Sequence, residues 1–243
     1  MAKKILLTGF KGGTGVTTCA VGLGTALAQL GERTLIVDGD AKTGCALLIG
    51  ECRHLIVYTL ADYEKGACRA KQAIVSHPKN SNLMFMPSIG LNDISYAQKA
   101  VSDVDGLFDY ILLDKTAEPL CDSAIIVSEP FTPSIKAADL CRSYLTDSGI
   151  KNVSLIVNKL NGGQILNGET MTAHEIAALL HMELTAVIPE DLLLSSGKWK
   201  PATLKAFKTA AEVLTGRREG VLNILSGWSG VNAYFKRKLR DKV

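Results

Sequence analysis

Nine residues near the N-terminus, Phe10-Lys11-Gly12-Gly13-Thr14-Gly15-Val16-Thr17-Thr18, restrict the fold more than any other part of the chain. The short apolar run from Lys4 to Thr8 before them suits a buried strand, and Thr17 to Leu30, ended by Gly31, suits a helix. A glycine loop between strand and helix lets the backbone take φ > 0 and turns successive N–H groups toward one point. At a helix N-terminus, that makes an anion nest. Thr17 falls where a hydroxyl ligates Mg²⁺ in loops of this kind.

The full phosphate-loop pattern ends in glycine, lysine and a hydroxyl residue, and Val16 stands where the lysine belongs. A valine can neither neutralise nor hydrogen-bond a β- or γ-phosphate. The lost charge-assisted contact is worth about 1.5 to 3 kcal/mol, which lowers nucleotide affinity by roughly 10- to 150-fold before any compensation. Turnover should suffer too, because phosphoryl transfer depends on stabilising charge on the transferred group.

Two further apolar strands end in carboxylates. Thr34 to Val37 leads to Asp38-Gly39-Asp40, and Phe108 to Leu113 leads to Asp114. The C-terminal edge of an open α/β sheet is where ligands sit, and carboxylates there suit Mg²⁺ and water. Strands expected near Lys4, Thr34, Leu83, Phe108, Ser123, Val153 and Glu183 alternate with helical stretches, so the fold is α/β, a mostly parallel sheet with helices on both faces. One of these helices, Thr172 to His181, opens with Thr172 and Glu175 at capping-box spacing. The 243 residues, 47% hydrophobic and 21% charged, fit one globular domain with a large core. Met1-Ala2-Lys3-Lys4 runs directly into a strand and no apolar run approaches 18 residues, which predicts a cytoplasmic protein.

On these residues the chain resembles the MinD/ParA group of deviant Walker A ATPases, and within it the septum-site branch, over nearly its whole length. The resemblance rests on Lys11-Gly12-Gly13-Thr14-Gly15 with Thr17-Thr18, Asp38-Gly39-Asp40, Phe108-Asp109-Tyr110 leading to Asp114, Val157-Asn158, and Val187-Ile188-Pro189-Glu190-Asp191. It implies a three-layer P-loop NTPase-like fold that binds ATP or ADP with Mg²⁺. Gly12, Gly13, Thr14, Gly15, Val16, Thr17 and Thr18 would form the phosphate loop. Thr17, Asp38 and Asp114 would manage the metal, with Asp38 and Asp40 handling the attacking water. Lys11 would be the signature lysine that reaches across a nucleotide-sandwich homodimer. Asn158 would contact adenine, with Pro189 and Asp191 beside the base and ribose.

The chain also departs from that pattern. Besides Val16, the aspartate-to-asparagine continuation after the second strand reads Asp40-Ala41-Lys42-Thr43-Gly44-Cys45, and the small residue and proline expected after the Walker B acid are Lys115-Thr116. Lys42 and Lys115 either supply the missing charge or reach solvent; the sequence leaves both open. The six cysteines contain no C-x-x-C pair. Cys121, seven residues after Asp114, lacks the second cysteine that a cluster of related iron proteins would need.

The α/β domain is expected to span residues 1–216 and a basic tail 217–243. The tail carries seven basic and two acidic residues, so it holds +5 of a chain whose net charge is +3. Val221, Ile224, Leu225, Trp228, Val231, Phe235 and Leu239 recur at spacings of three and four, and the last stretch sets Tyr234, Phe235 and Leu239 against a dense basic face. This suits an anionic membrane surface, as does the resemblance, which implies a short basic amphipathic helix at this end and a peripheral location at the inner face of the cell membrane. A helix packed on the body is the plain alternative. DNA would not require Trp228 and Phe235. The reading is therefore a nucleotide-dependent homodimer that controls membrane attachment and an unidentified protein partner, such as a division-site regulator. Its rivals are a pseudo-ATPase scaffold and, more distantly, a DNA-binding partition protein.

Overall fold

The computed structural model describes residues 1–39, 50–115, 121–192 and 199–223. Asp40, Lys42, Cys45, Thr116 and the tail from Ile224 onward, with Trp228 and Phe235, lie outside the described residues.

Eight strands form one sheet in the spatial order β3-β4-β2-β5-β1-β6-β7-β8. They are β1 (Lys3–Thr8), β2 (Thr34–Asp38), β3 (Val75–His77), β4 (Asn80–Met86), β5 (Tyr110–Asp114), β6 (Ser123–Ser128), β7 (Val153–Leu160) and β8 (Glu183–Pro189). Every pairing is parallel except β3 with β4 at one edge. The helices are α1 (Val16–Gln29), α2 (Leu60–Glu64), α3 (Ser95–Val104), α4 (Thr132–Asp147), α5 (Gly162–Leu166), α6 (Ala173–Leu179) and α7 (Pro201–Leu214).

Side chains alternate between the faces of a strand, so the apolar runs supply two cores at once. Ile5, Leu7, Ile36, Leu112, Ile125, Val127 and Ile156 meet α1 and α7 on one face. Leu6, Leu35, Val37, Leu113, Ile126, Leu155 and Val157 meet α3, α4 and α6 on the other. The result is the expected three-layer α/β fold. α1 and α7 pack closely enough that a Cβ on Gly22 would collide with the Phe207 ring. β1 is central, flanked by β5 and β6, so the loop that follows it opens at the middle of the sheet's C-terminal edge.

The sequence expectations differ from the structure at three strands. The one expected from Leu83 begins at Asn80. The edge strand β3 was not anticipated, because three residues, Val75-Ser76-His77, are too few to show a period. The strand expected from Phe108 begins at Tyr110; Phe108 instead closes a 3₁₀ turn and enters the core. The capping box is present as expected, with Thr172 Oγ1 accepting from Glu175 N–H (3.2 Å) and Glu175 Oε2 from Thr172 N–H (2.6 Å).

Candidate functional site

The loop after β1 takes the conformation its glycines permit. Gly13 has φ 81° and Gly15, the residue before α1, has φ 93°, a region closed to most side chains. The first helical bond of α1 runs from Cys19 N–H to Gly15 O (2.9 Å). No side chain caps this helix end and its first turn holds no acidic residue. A helix N-terminus with these properties suits an anion. Gly12 and Gly13 are exposed on the loop, Thr14 is buried beneath it, and Thr17 and Thr18 are half-buried in the first turn. Val16, where the sequence pattern leads one to expect a lysine, is 4% exposed and belongs to the core between sheet and α1.

Asp38 and Asp114 meet at the same edge. They are direct partners in the β2–β5 register, and Leu7 of β1 pairs with Asp114 from the other side. Both carboxylates are fully buried. Ser88 N–H approaches Asp38 Oδ2 at 3.5 Å. The chain after β2 runs so close to the end of β5 that a Cβ on Gly39 would collide with the Asp114 carbonyl oxygen. Burial pushes the nearby Cys19 thiol up to about 12, reinforced by the charge of Asp114 and partly opposed by Lys159, so this cysteine stays protonated. Two carboxylates and a threonine hydroxyl beside an anion nest are hard oxygen donors, the set that Mg²⁺ with a phosphate requires. The residues present therefore fit a magnesium nucleotide.

A charge cluster centred on a buried carboxylate, not identified from the sequence, lies beside the loop. Glu129, which follows β6, accepts from Lys11 Nζ on Oε2 (2.5 Å) and from Lys159 Nζ on Oε1 (2.7 Å). Lys159 also donates to Gly13 O (2.7 Å) and sits at φ 57°. Burial alone would raise the Glu129 carboxyl, but its hydrogen bonds to the two lysines outweigh that and hold it below the usual carboxylate range. The signal was available: a carboxylate ending an apolar strand is the rule that singled out Asp38 and Asp114, and Ser123 to Glu129 obeys it.

Asn158 is 2% exposed and lies under the loop. Its Nδ2 donates to Thr14 O (2.8 Å), and its Oδ1 accepts from Lys159 N–H (2.9 Å). Pro189 ends β8. Asp191 accepts from Lys200 N–H and Thr203 Oγ1, each at 2.8 Å, and so anchors the start of α7. Lys115 is exposed at the end of β5 with φ 56°, its N–H donating to Leu7 O (3.0 Å). Cys121 is half-buried and packs against the core. Arg217, where the basic tail is expected to begin, is tied to the body, donating to Leu30 O (3.0 Å) and pairing with Glu32 (2.6 Å).

A glycine loop feeding a helix from the central strand of a parallel sheet, with two strand-end aspartates beside it, defines a P-loop nucleotide-binding protein of the α/β class. More narrowly, the chain belongs to the CobQ/CobB/MinD/ParA nucleotide binding domain family, whose profile matches residues 5–198. A putative septum site-determining protein MinD of Guillardia theta is 30% identical over 222 residues, spanning 84% of this chain and 82% of that protein. The solved MinD cell division protein of Aquifex aeolicus superposes with a TM-score of 0.81 at 28% identity, over 91% of this chain and all of that one. A MinC:MinD cell division protein complex from the same organism gives a TM-score of 0.82 at 26% identity, covering 91% and 99% respectively. Among the described residues no helix is long and apolar enough to cross a membrane.

Proposed function

We propose that this chain binds adenine nucleotide with Mg²⁺ in the loop after β1, dimerises around it, and uses dimerisation to control membrane attachment and partner binding in cell division or spatial positioning. The observation that carries the reading is the convergence of the uncapped N-terminus of α1 with the in-register pair Asp38 and Asp114 at one point of the sheet edge. The similarity to MinD proteins, one of them solved with MinC, supports a division-site partner. In the hydrolytic version Thr17, Asp38 and Asp114 hold the metal, Asp38 and Asp40 place water, and Lys11 acts across the dimer. Adenine lies toward Asn158, with Pro189 and Asp191 beside the base and ribose. The tail attaches to anionic lipid at the inner face of the membrane, and two weak helices held together in a dimer bind far better than one.

A second reading, a scaffold that has lost turnover, is favoured by Val16, whose apolar side chain is built into the core. Calorimetric titration of the native chain with ATP and Mg²⁺, set against phosphate release, decides between them. Binding with turnover supports the ATPase, binding without turnover the scaffold, and no binding rejects the ATPase and leaves the scaffold in its strongest form. Sedimentation with anionic liposomes tests the tail: the full chain should pellet and a chain ending at Gly230 should not.

A further inference from the structure

Three segments converge on the Glu129 carboxylate: the glycine loop through Lys11, the chain after β6 through Glu129 itself, and the end of β7 through Lys159. The carboxylate is fixed in place. Its side chain is 9% exposed, Glu129 N–H donates to Ser134 Oγ (2.9 Å), and Ser128 Oγ donates to Glu129 O (3.1 Å). The two lysines are not equivalent. Their side chains are equally exposed, 38% for Lys11 and 40% for Lys159, but Lys159 is held twice, by Glu129 and by the loop carbonyl of Gly13, whereas Lys11 pairs with Glu129 alone among the described residues.

One carboxylate facing two ammonium groups leaves a surplus positive charge at the mouth of the loop. A buried carboxylate stripped of all partners is strongly unfavourable. Here Lys11 can depart while Lys159 keeps Glu129 paired, so the carboxylate is never abandoned. Lys11 is thus the mobile cation of the pair, held beside a site whose ligand is anionic.

We propose that Glu129 is a positioning residue that parks Lys11 on its own subunit, and that nucleotide-driven pairing of two chains exchanges this ion pair for a contact between Lys11 and phosphate bound across the interface. This rests on the nucleotide-dependent dimer proposed above. Parking sets a threshold: the chain releases Lys11 only when a polyanion is offered by a second copy.

The test is the dimer dissociation constant at saturating ATP and Mg²⁺, from sedimentation velocity on the full chain. Glu129→Gln, which keeps the shape and removes the charge, should tighten the dimer roughly five- to tenfold, the loss of one partly exposed ion pair that competes with assembly. Glu129→Asp should stay near wild type, and in a Lys11→Ala background Glu129→Gln should have no effect. If the wild type dimerises but Glu129→Gln leaves the dimer unchanged or weakens it, the parking role is overturned and the dimer stands. The same holds if the tightening survives without Lys11. If neither wild type nor Glu129→Gln pairs at any ATP concentration, the dimer reading falls and the exchange falls with it. The unmutated chain offers an independent measurement should Glu129→Gln fold poorly. Without nucleotide, Lys11 should react with an amine-specific reagent several-fold more slowly than exposed Lys71, and equal rates overturn the parking.

Discussion

At the residue scale, Gly15 carries two constraints together: its φ of 93° and the approach of Asn158 Nδ2, with which a Cβ would collide. Gly15→Ala should therefore cost about 1–3 kcal/mol of backbone strain before the clash is counted, and should lower nucleotide affinity by displacing Asn158 from the loop. Chemical denaturation and calorimetry measure the two effects separately. Asn158→Ala removes the donor to the Thr14 carbonyl and should destabilise by about 1–3 kcal/mol if that oxygen stays buried. A different residue governs acid stability. Asp109 accepts three hydrogen bonds from Arg33, from its backbone N–H and from its guanidinium, and the side-chain bond to Arg33 is the main reason its carboxyl is held below the ordinary value. A carboxyl depressed in the folded state stabilises the fold above its unfolded pKa, about 3.9, and that contribution is lost as pH falls below it toward the folded value. Asp109→Asn should lower stability at pH 7 and flatten its decline below about pH 4, as read by thermal unfolding across pH. Asp109 and Arg33 precede β5 and β2, at the sheet edge opposite the loop, so nucleotide affinity should not follow.

At the element scale, the position of the loop depends on how α1 is seated. Its small residues let α7 approach, and Phe207 fills the space over Gly22. Phe207→Ala should cost about 3–5 kcal/mol as a core cavity. Gly22→Ala should cost about 1–3 kcal/mol from overpacking. Both are measurable by urea unfolding, and Gly22→Ala should also weaken nucleotide binding, because pushing α7 off α1 tilts the helix end that forms the nest. The start of α7 is itself pinned by Asp191 through Lys200 N–H and Thr203 Oγ1, so one element ties the chain after β8 to the helix behind the loop.

At the scale of the whole molecule, the parallel topology gathers the ends of β1, β2, β5, β6 and β7 along one edge, which brings Lys11, Asp38, Asp114, Glu129 and Lys159 to a single region. A ligand that ties these ends together should stabilise the fold as a unit. ATP with Mg²⁺ at about 100 times its dissociation constant should add about 2.7 kcal/mol, a rise of roughly 5–10 °C in Tm for a chain of this size. A thermal shift series with ATP, ADP and magnesium alone checks this, and no shift at any nucleotide concentration would contradict nucleotide binding.

The sequence by itself determined the strand-loop-helix opening, the parallel α/β class, the positions of Asp38 and Asp114 and the cap at Thr172, because each is written in contiguous residues: a glycine run, an apolar stretch of fixed period, a hydroxyl three residues before a glutamate. It could not show the short edge strand β3, whose few residues carry no period. Nor could it join Lys11 to Glu129 and Lys159, which lie on three separate strand ends. The family resemblance implied Lys11 as a cation for a partner chain, and the loop pattern marked Val16 as a missing charge. Only the tertiary structure decided that Val16 is core, that Asn158 braces the loop from below, and that Lys11 rests on a carboxylate of its own subunit. Such contacts arise from strand order, and strand order is set by packing across the sheet rather than by any local pattern.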